Sequence, residues 1–255
     1  MPERSEYPPG TPAWADLGSP DPQASRRFYN GLFGWELQDM GPEAGGYMIA
    51  SVRGKAVAGL GPLMAEGQPP AWTTYVYVDD ADTTAKEIES AGGTTLAPPF
   101  DVMTAGRMGV FADPTGAVIA IWQPRDFKGA ELVSEPGAIC WNELRTRDAE
   151  RAKRFYRDAF GWNGQTSDAQ GMVYTEWKLG EETVGGMLEM GEQFPKEVPP
   201  HWLVYFAVEN CDGSVAKAGQ LGATVLSPAM DIPAGRFASF ADPQGAAFGI
   251  IQLAG

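Results

Sequence analysis

The residue that limits the chemistry most is histidine, because the chain has 1, His201. Most metal sites, general acid–base pairs and activated nucleophiles draw on imidazole. The remaining chemistry falls to carboxylates, tyrosines, arginines and indoles. Asp16 sits two residues after Trp14 in AWADLGS, and Glu143 sits two residues after Trp141 in CWNELRT. Spacing of two puts each Trp and its acid on one face of a strand. His201, with Glu143 and Glu176, would make at most a weak metal site, and we read it instead as a strand-edge residue. Arg107 and Arg236 each follow a Gly. Either could hold an anionic group, but pairing with the nearby Asp113 or Asp242 is the favoured reading. DPTG and DPQG are turn chemistry. No phosphate-binding glycine loop and no nucleophile elbow occurs.

These residues come in pairs because the chain repeats itself. RRFYNGLFGW (26–35) returns as KRFYRDAFGW (153–162) after 127 residues. PPAWTTYVYVDD returns as PPHWLVYFAVEN after 130, and GRMGVFADPTGAVIAIWQ as GRFASFADPQGAAFGIIQ after 129. A period this long means duplicated domains and not a solenoid. The boundaries read as 10–127 and 135–255, with a polar linker near Asp126 to Pro136.

Each half has an inner rhythm. AWADLGS reads as a strand. Asp21 suits a helix N-cap with Pro22 at the first helical position, and Gly34 ends the helix. Ala24, Phe28 and Leu32, with Tyr29 and Phe33, recur at helical spacing. Three strand-like runs follow: WELQD, GYMIASV and AVAGLGPL. The cycle restarts with TTYVYV, a helix in DADTTAKEIESAGG, then TTLAPPF, GRMGVFAD and AVIAIWQ. Each half is therefore strand–helix–three strands, twice, an α+β class.

At 255 residues with 44% apolar composition, the chain can fill a sizeable core. With 19 Lys plus Arg against 33 Asp plus Glu, the net charge of −14 repels phosphate backbones and anionic bilayers. Nucleic acid and membrane are excluded as expected partners. Cys140 and Cys211 do not form a disulfide framework and fit a reducing compartment, so the expected location is cytoplasmic. The N-terminus has no apolar signal region.

The motifs FY..LFGW, YVYVDD and FADPxGA, present in both halves, resemble the vicinal oxygen chelate superfamily, which includes glyoxalase I, extradiol dioxygenases and bleomycin resistance proteins. The resemblance covers nearly the whole chain and looks closest to two-domain actinobacterial members described as glyoxalase-like. It implies tandem glyoxalase/bleomycin-resistance-like domains, each of two paired βαβββ modules whose curved sheet forms a cleft. It also implies where metal ligands would stand: Trp14, Thr73 and Ala120 in the first half, Trp141, Leu203 and Gly249 in the second. None is His or Glu, so no metal and no other cofactor is expected.

By the same resemblance, Trp14, Asp16, Thr73, Tyr75, Tyr77, Ala120 and Trp122 line the first cleft. Trp141, Glu143, Leu203, Tyr205, Gly249 and Ile251 line the second. Flat aromatic walls with one acid suit a planar, partly cationic or hydroxylated ligand. The ligand-binding residues are therefore expected to be Trp14, Asp16, Trp72, Thr73, Tyr75 and Trp122, and Trp141, Glu143, His201, Trp202 and Tyr205. Trp72 and Trp202 are the weakest, since alternation turns them away. The same aromatics can also be core.

Two functions stay open. One is metal-independent binding of a small aromatic or polycyclic molecule, in secondary metabolism or resistance. The other is a glyoxalase-like lyase or hydroxylase with Asp16 or Glu143 as general base. A monomer is expected, because the duplication supplies every module internally.

Overall fold

The computed structural model describes residues 3–169 and 172–254. Gly255, the end of the expected second domain, lies outside the described residues. The first half runs β1 Pro12–Ser19, α1 Pro22–Phe33, β2 Glu36–Asp39, β3 Met48–Val52, β4 Lys55–Pro62, β5 Ala71–Tyr77, α2 Ala81–Ser90, β6 Thr94–Val102, β7 Gly106–Ala112 and β8 Val118–Pro124. The second half repeats it as β9 Ile139–Thr146, α3 Ala149–Phe160, β10 Asn163–Ala169, β11 Met172–Leu179, β12 Glu182–Glu189, β13 His201–Ala207, α4 Cys211–Gln220, β14 Thr224–Ile232, β15 Gly235–Ala241 and β16 Ala247–Leu253.

Each half forms an 8-stranded sheet, ordered β2-β3-β4-β1-β5-β8-β7-β6 and β10-β11-β12-β9-β13-β16-β15-β14. Two strand–helix–three-strand modules meet at the antiparallel β1–β5 seam in one sheet and at β9–β13 in the other. Within each module the first strand lies parallel to the last. This is the paired-module α+β architecture that the repeat implied.

The helices start and stop for local reasons. Asp21 accepts from the Ala24 amide, Pro22 opens α1, and Gly34 closes it at φ 74°. Asp148 and Gly161 do the same for α3. The buried face of α1 is Ser25, Phe28, Tyr29 and Leu32, a 3–4 spacing.

That face is shared with the other half. Phe28, Tyr29, Leu32 and Trp35 pack with Phe206, Phe240, Phe248 and Ile250 in one core. Phe155, Tyr156, Trp162 and Trp177 pack with Val76, Ile88, Phe111 and Ile121 in a second. The helices lie between the two sheets, and each core joins the first module of one half to the second module of the other. Each buried Phe or Leu here adds about 1.5–3 kcal/mol of apolar transfer.

Polar links cross the same boundary in matched pairs. Tyr29 OH accepts from Trp72 Nε1 at 2.9 Å and donates to Asp242 Oδ2 at 3.0 Å. Tyr156 OH accepts from Trp202 Nε1 at 2.8 Å and donates to Asp113 Oδ2 at 2.9 Å. Trp35 Nε1 reaches Gly137 O and Trp162 Nε1 reaches Gly10 O, both at 2.7 Å. The DPxG acids thus do more than shape a turn. Asp242 Oδ1 accepts from the Gln244 and Ala246 amides while Oδ2 takes the tyrosine of the opposite half.

Two expectations are corrected here. Trp72 and Trp202 belong to the inter-half cores and not to the clefts, because strand alternation points them at Tyr29 and Tyr156. Arg107 pairs with Asp82 at 2.9 Å and Asp101 at 3.1 Å, and Arg236 with Asp212 at 2.9 Å and Asp231 at 3.0 Å. Asp113 and Asp242 are not their partners, because those acids are engaged by tyrosine and turn amides.

Candidate functional site

With the helices packed between the sheets, the opposite faces are free of helices. On the first, a hydrogen-bonded chain replaces any metal ligand set. Trp14 Nε1 donates to Tyr47 OH at 3.0 Å, and Tyr47 OH donates to Asp16 Oδ2 at 3.1 Å. Tyr75 OH donates to the same oxygen at 2.9 Å. Asp16 is half-buried. Burial pushes its carboxyl up to about 6, and the two tyrosine hydroxyls oppose that shift. Burial also raises the phenols of Tyr47 and Tyr75, with the Asp16 charge adding to it.

The second face repeats the chain and adds a cation. Trp141 Nε1 donates to Tyr174 OH at 2.8 Å, which donates to Glu143 Oε2 at 3.1 Å. Tyr205 OH donates to Glu143 Oε1 at 3.1 Å. Arg145 Nε pairs with that oxygen at 3.0 Å, and its Nη2 donates to Tyr205 OH at 3.0 Å. Both members of the ion pair are buried. Phe194 stacks on the guanidinium at 5.7 Å.

Bare backbone makes room for each chain. Gly59 of β4 and Gly186 of β12 lie under Tyr47 and Tyr174, and a Cβ at either would enter the phenol. Gly249 lies under the Tyr205 ring in the same way.

The two faces are filled differently. On the first, Trp14, Tyr75, Met108, Ala120 and Trp122 form a buried cluster. Phe127, in the linker, meets Trp14 edge-on at 4.8 Å, and its carbonyl accepts from Trp122 Nε1 at 2.9 Å. On the second, Trp141 and Cys140 stay partly exposed beside Tyr205, Leu203 and Ile251. Thr73 lies opposite Asp16 in the β1–β5 register, and His201 lies opposite Arg145 in β9–β13. His201 Nδ1 donates to Pro199 O at 2.8 Å, and burial lowers its pKa. Glu176 is drawn to Lys178 at 3.0 Å.

Trp14, Asp16, Thr73, Tyr75 and Trp122 therefore share the first face, and Trp141, Glu143, His201 and Tyr205 the second. Tyr47, Tyr174, Arg145, Phe127 and Phe194 were missed. Tyr47 and Tyr174 stand 127 residues apart, the offset of Trp14 and Trp141, so the repeat carried that signal. Arg145 follows Glu143 by the same period of two that links Trp141 to Glu143.

The positions where a metal would be held do not fit one. Trp14 offers only an N–H donor, already given to Tyr47. Ala120 is an inaccessible methyl, and Gly249 lies under a ring. Among the described residues no three His, Cys, Asp or Glu converge. A depression of about 310 Å³ at the N-terminus of α3, lined by Arg147, Lys153, Thr166 and Met187 among others, lies outside both faces.

Known proteins agree with this fold. Residues 11–121 match the Glyoxalase/Bleomycin resistance protein/Dioxygenase superfamily, and residues 139–251 match a Glyoxalase-like domain. "Putative glyoxylase CFP32" of Mycobacterium tuberculosis is 42% identical over 100% of this chain and 99% of its own. "Anthracycline biosynthesis protein DauV" of Streptomyces sp. strain C5 is 40% identical over 98% of this chain and 95% of its own. The Mn(II)-bound glyoxalase from Novosphingobium aromaticivorans superposes with a TM-score of 0.65 at 17% identity, covering 95% of this chain and 82% of that one. The 2,3-dioxygenase LapB from Pseudomonas sp. KL28 does so at 0.65 and 13%, covering 95% and 91%. At these identities the two structures share the fold alone. No helix among the described residues is long and apolar enough to cross a membrane.

Proposed function

We propose, from the premise that the chain belongs to the glyoxalase/bleomycin resistance protein/dioxygenase superfamily, that it binds a small aromatic or polycyclic molecule without a metal. The observation that carries this reading is the Trp–Tyr–acid chain standing in both halves where the superfamily's enzymes place ligands. Indole and phenol faces stack on planar rings, and the acid with its tyrosines orients polar substituents. The relative named for anthracycline biosynthesis supports a polycyclic ligand. We read the chain as a monomer of two domains, 10–127 and 135–255, with free thiols in a reducing cytoplasm.

The test is a fluorescence titration with a planar polycyclic quinone. Stacking on Trp141, which is partly exposed, quenches indole emission. Trp141→Ala should weaken binding by about 1–3 kcal/mol, with Trp14→Ala as its counterpart on the first face. Unchanged affinity in both variants, or no binding by the parent, sinks this reading.

One observation favours a second reading. Asp16, half-buried with a carboxyl near 6, has the proton affinity of a general base working near neutral pH. A cofactor-free lyase or hydroxylase would lose turnover by roughly a hundredfold in Asp16→Asn while still binding.

A further inference from the structure

We propose that the first face is an ammonium site, at which Asp16 takes the protonated amine of an aromatic ligand, and that the second face is closed to cations because Arg145 already neutralises Glu143. This rests on the binding reading above and adds the class of ligand and the face that takes it.

The two acids occupy the same place in the repeat but differ in what surrounds them. Glu143 has a buried arginine two residues along its strand. Two residues along from Asp16 stands Gly18. Asp16 forms no ion pair among the described residues. On its face the neighbouring positions are Gly18, Ile49, Gly59, Ala71 and Thr73, none of them charged. Tyr47 and Tyr75 are the titratable groups that touch it.

The carboxylate also has a free acceptor. Both tyrosine bonds go to Oδ2. Among the described residues no hydrogen bond reaches Asp16 Oδ1, and the residue is half-buried, so that oxygen is left for a further donor. The tyrosines that hold Oδ2 bring two phenol rings next to this carboxylate, and aromatic faces attract cations. A charge-assisted N–H to carboxylate bond completes the arrangement.

Gly18 tolerates a Cβ beside Asp16. A Cβ at Gly18 would stand 3.7 Å from Gln68 Nε2 and 3.7 Å from Leu63 Cδ2, ordinary contact distances. The second half fills the equivalent place with a guanidinium, and the first leaves it to a ligand.

Calorimetry at pH 7.5 with three naphthalene probes separates the possibilities: 1-naphthylmethylammonium, neutral 1-naphthalenemethanol and anionic 1-naphthoate. The parent should bind the ammonium about tenfold or more tightly than the alcohol, and the carboxylate more weakly than either. Asp16→Asn should bring the ammonium down to the level of the alcohol. Gly18→Arg should do so while leaving Asp16 in place, and it carries the test if the Asn variant does not fold. Glu181→Gln, at an exposed acid of the second half that lies in neither face, should keep the preference. Equal binding of ammonium and alcohol by the parent overturns the proposal, and so does a preference that survives either first-face variant or vanishes in Glu181→Gln. In those cases the binding reading stands. If the parent binds none of the three, both fail together.

Discussion

The two concave faces are copies that diverged in charge and in filling. The first has an acid with no ion pair among the described residues and Gly18 beside it, with Phe127 of the linker packed on Trp14. The second has a buried ion pair under Phe194, with its tryptophan partly exposed. The comparison teaches that one hydrogen-bonded scaffold can hold its acid either alone or neutralised. In both, a Trp–Tyr–carboxylate chain hydrogen-bonds the polar groups of the face to one another. What one face gains by self-neutralisation it gives up in free charge for a ligand.

The sharpest way to break the contrast is Arg145→Met. It strands Glu143 as a buried charge, and such losses cost about 3–5 kcal/mol. Urea denaturation should show this, whereas Gly18→Arg in the first half should not destabilise comparably. A cost under about 1 kcal/mol for Arg145→Met would mean that Glu143 does not depend on Arg145 for its neutralisation.

Phe127→Ala removes the ring that covers Trp14 and should cost about 2 kcal/mol, while shifting tryptophan emission to the red. Phe194→Ala should cost less, because its partner is a guanidinium already held by Glu143 and Tyr205. Equal costs would erase the difference in filling between the faces.

The inter-half hydrogen bonds should be where the halves behave alike. Tyr29→Phe and Tyr156→Phe each leave an indole N–H and a carboxylate without their shared hydroxyl, for about 1–2 kcal/mol each. The two lie in separate cores, so the double variant should lose the sum. Markedly unequal losses would show that the duplication has drifted in its core as well as in its faces.

The smallest effect is Asp16→Asn on stability. The folded carboxyl holds its proton up to about pH 6, the unfolded one only to 3.8. A folded pKa above the unfolded one stabilises below pH 3.8, and that contribution is lost as pH rises through 6. The parent should therefore lose stability relative to Asp16→Asn between those values and remain lower at pH 8. The full shift is worth about 3 kcal/mol. Partial exposure of Asp16 reduces it to about 1 kcal/mol. Thermal melts across pH 4 to 8 read it, and parallel curves would remove the unpaired acid from the comparison.

The modules were legible in the sequence because their signals are local and doubled. A Pro after Asp21, a Gly at 34 and a repeat offset of 127 residues recur together. The faces were legible as far as period two reaches, which places Trp14 with Asp16 and turns Trp72 away. What the spacing could not show was pairing across distance. Tyr29 meets Asp242 across 213 residues, and Tyr47 meets Asp16 across 31. Nor did composition reveal that Asp113 and Asp242 are taken by tyrosines, leaving Arg107 and Arg236 to other acids.

The crossed cores also bear on the order in which the molecule can be made. α1 is among the first elements to leave the ribosome, yet Phe206, Phe240 and Phe248, which cover it, are among the last. Until they arrive, Phe28, Tyr29 and Trp35 pack only against first-half residues such as Leu17, Leu60 and Trp72, and the side they turn to the second half stays uncovered. The N-terminal half synthesised alone would expose that face and associate with itself, as nascent chains with uncovered apolar surface do. Contacts this far apart in sequence also delay folding until the chain is nearly complete. The shared cores thus tie the first half to the second during biogenesis, and a chain truncated in the linker is expected to aggregate, as size-exclusion chromatography of residues 1–130 would show.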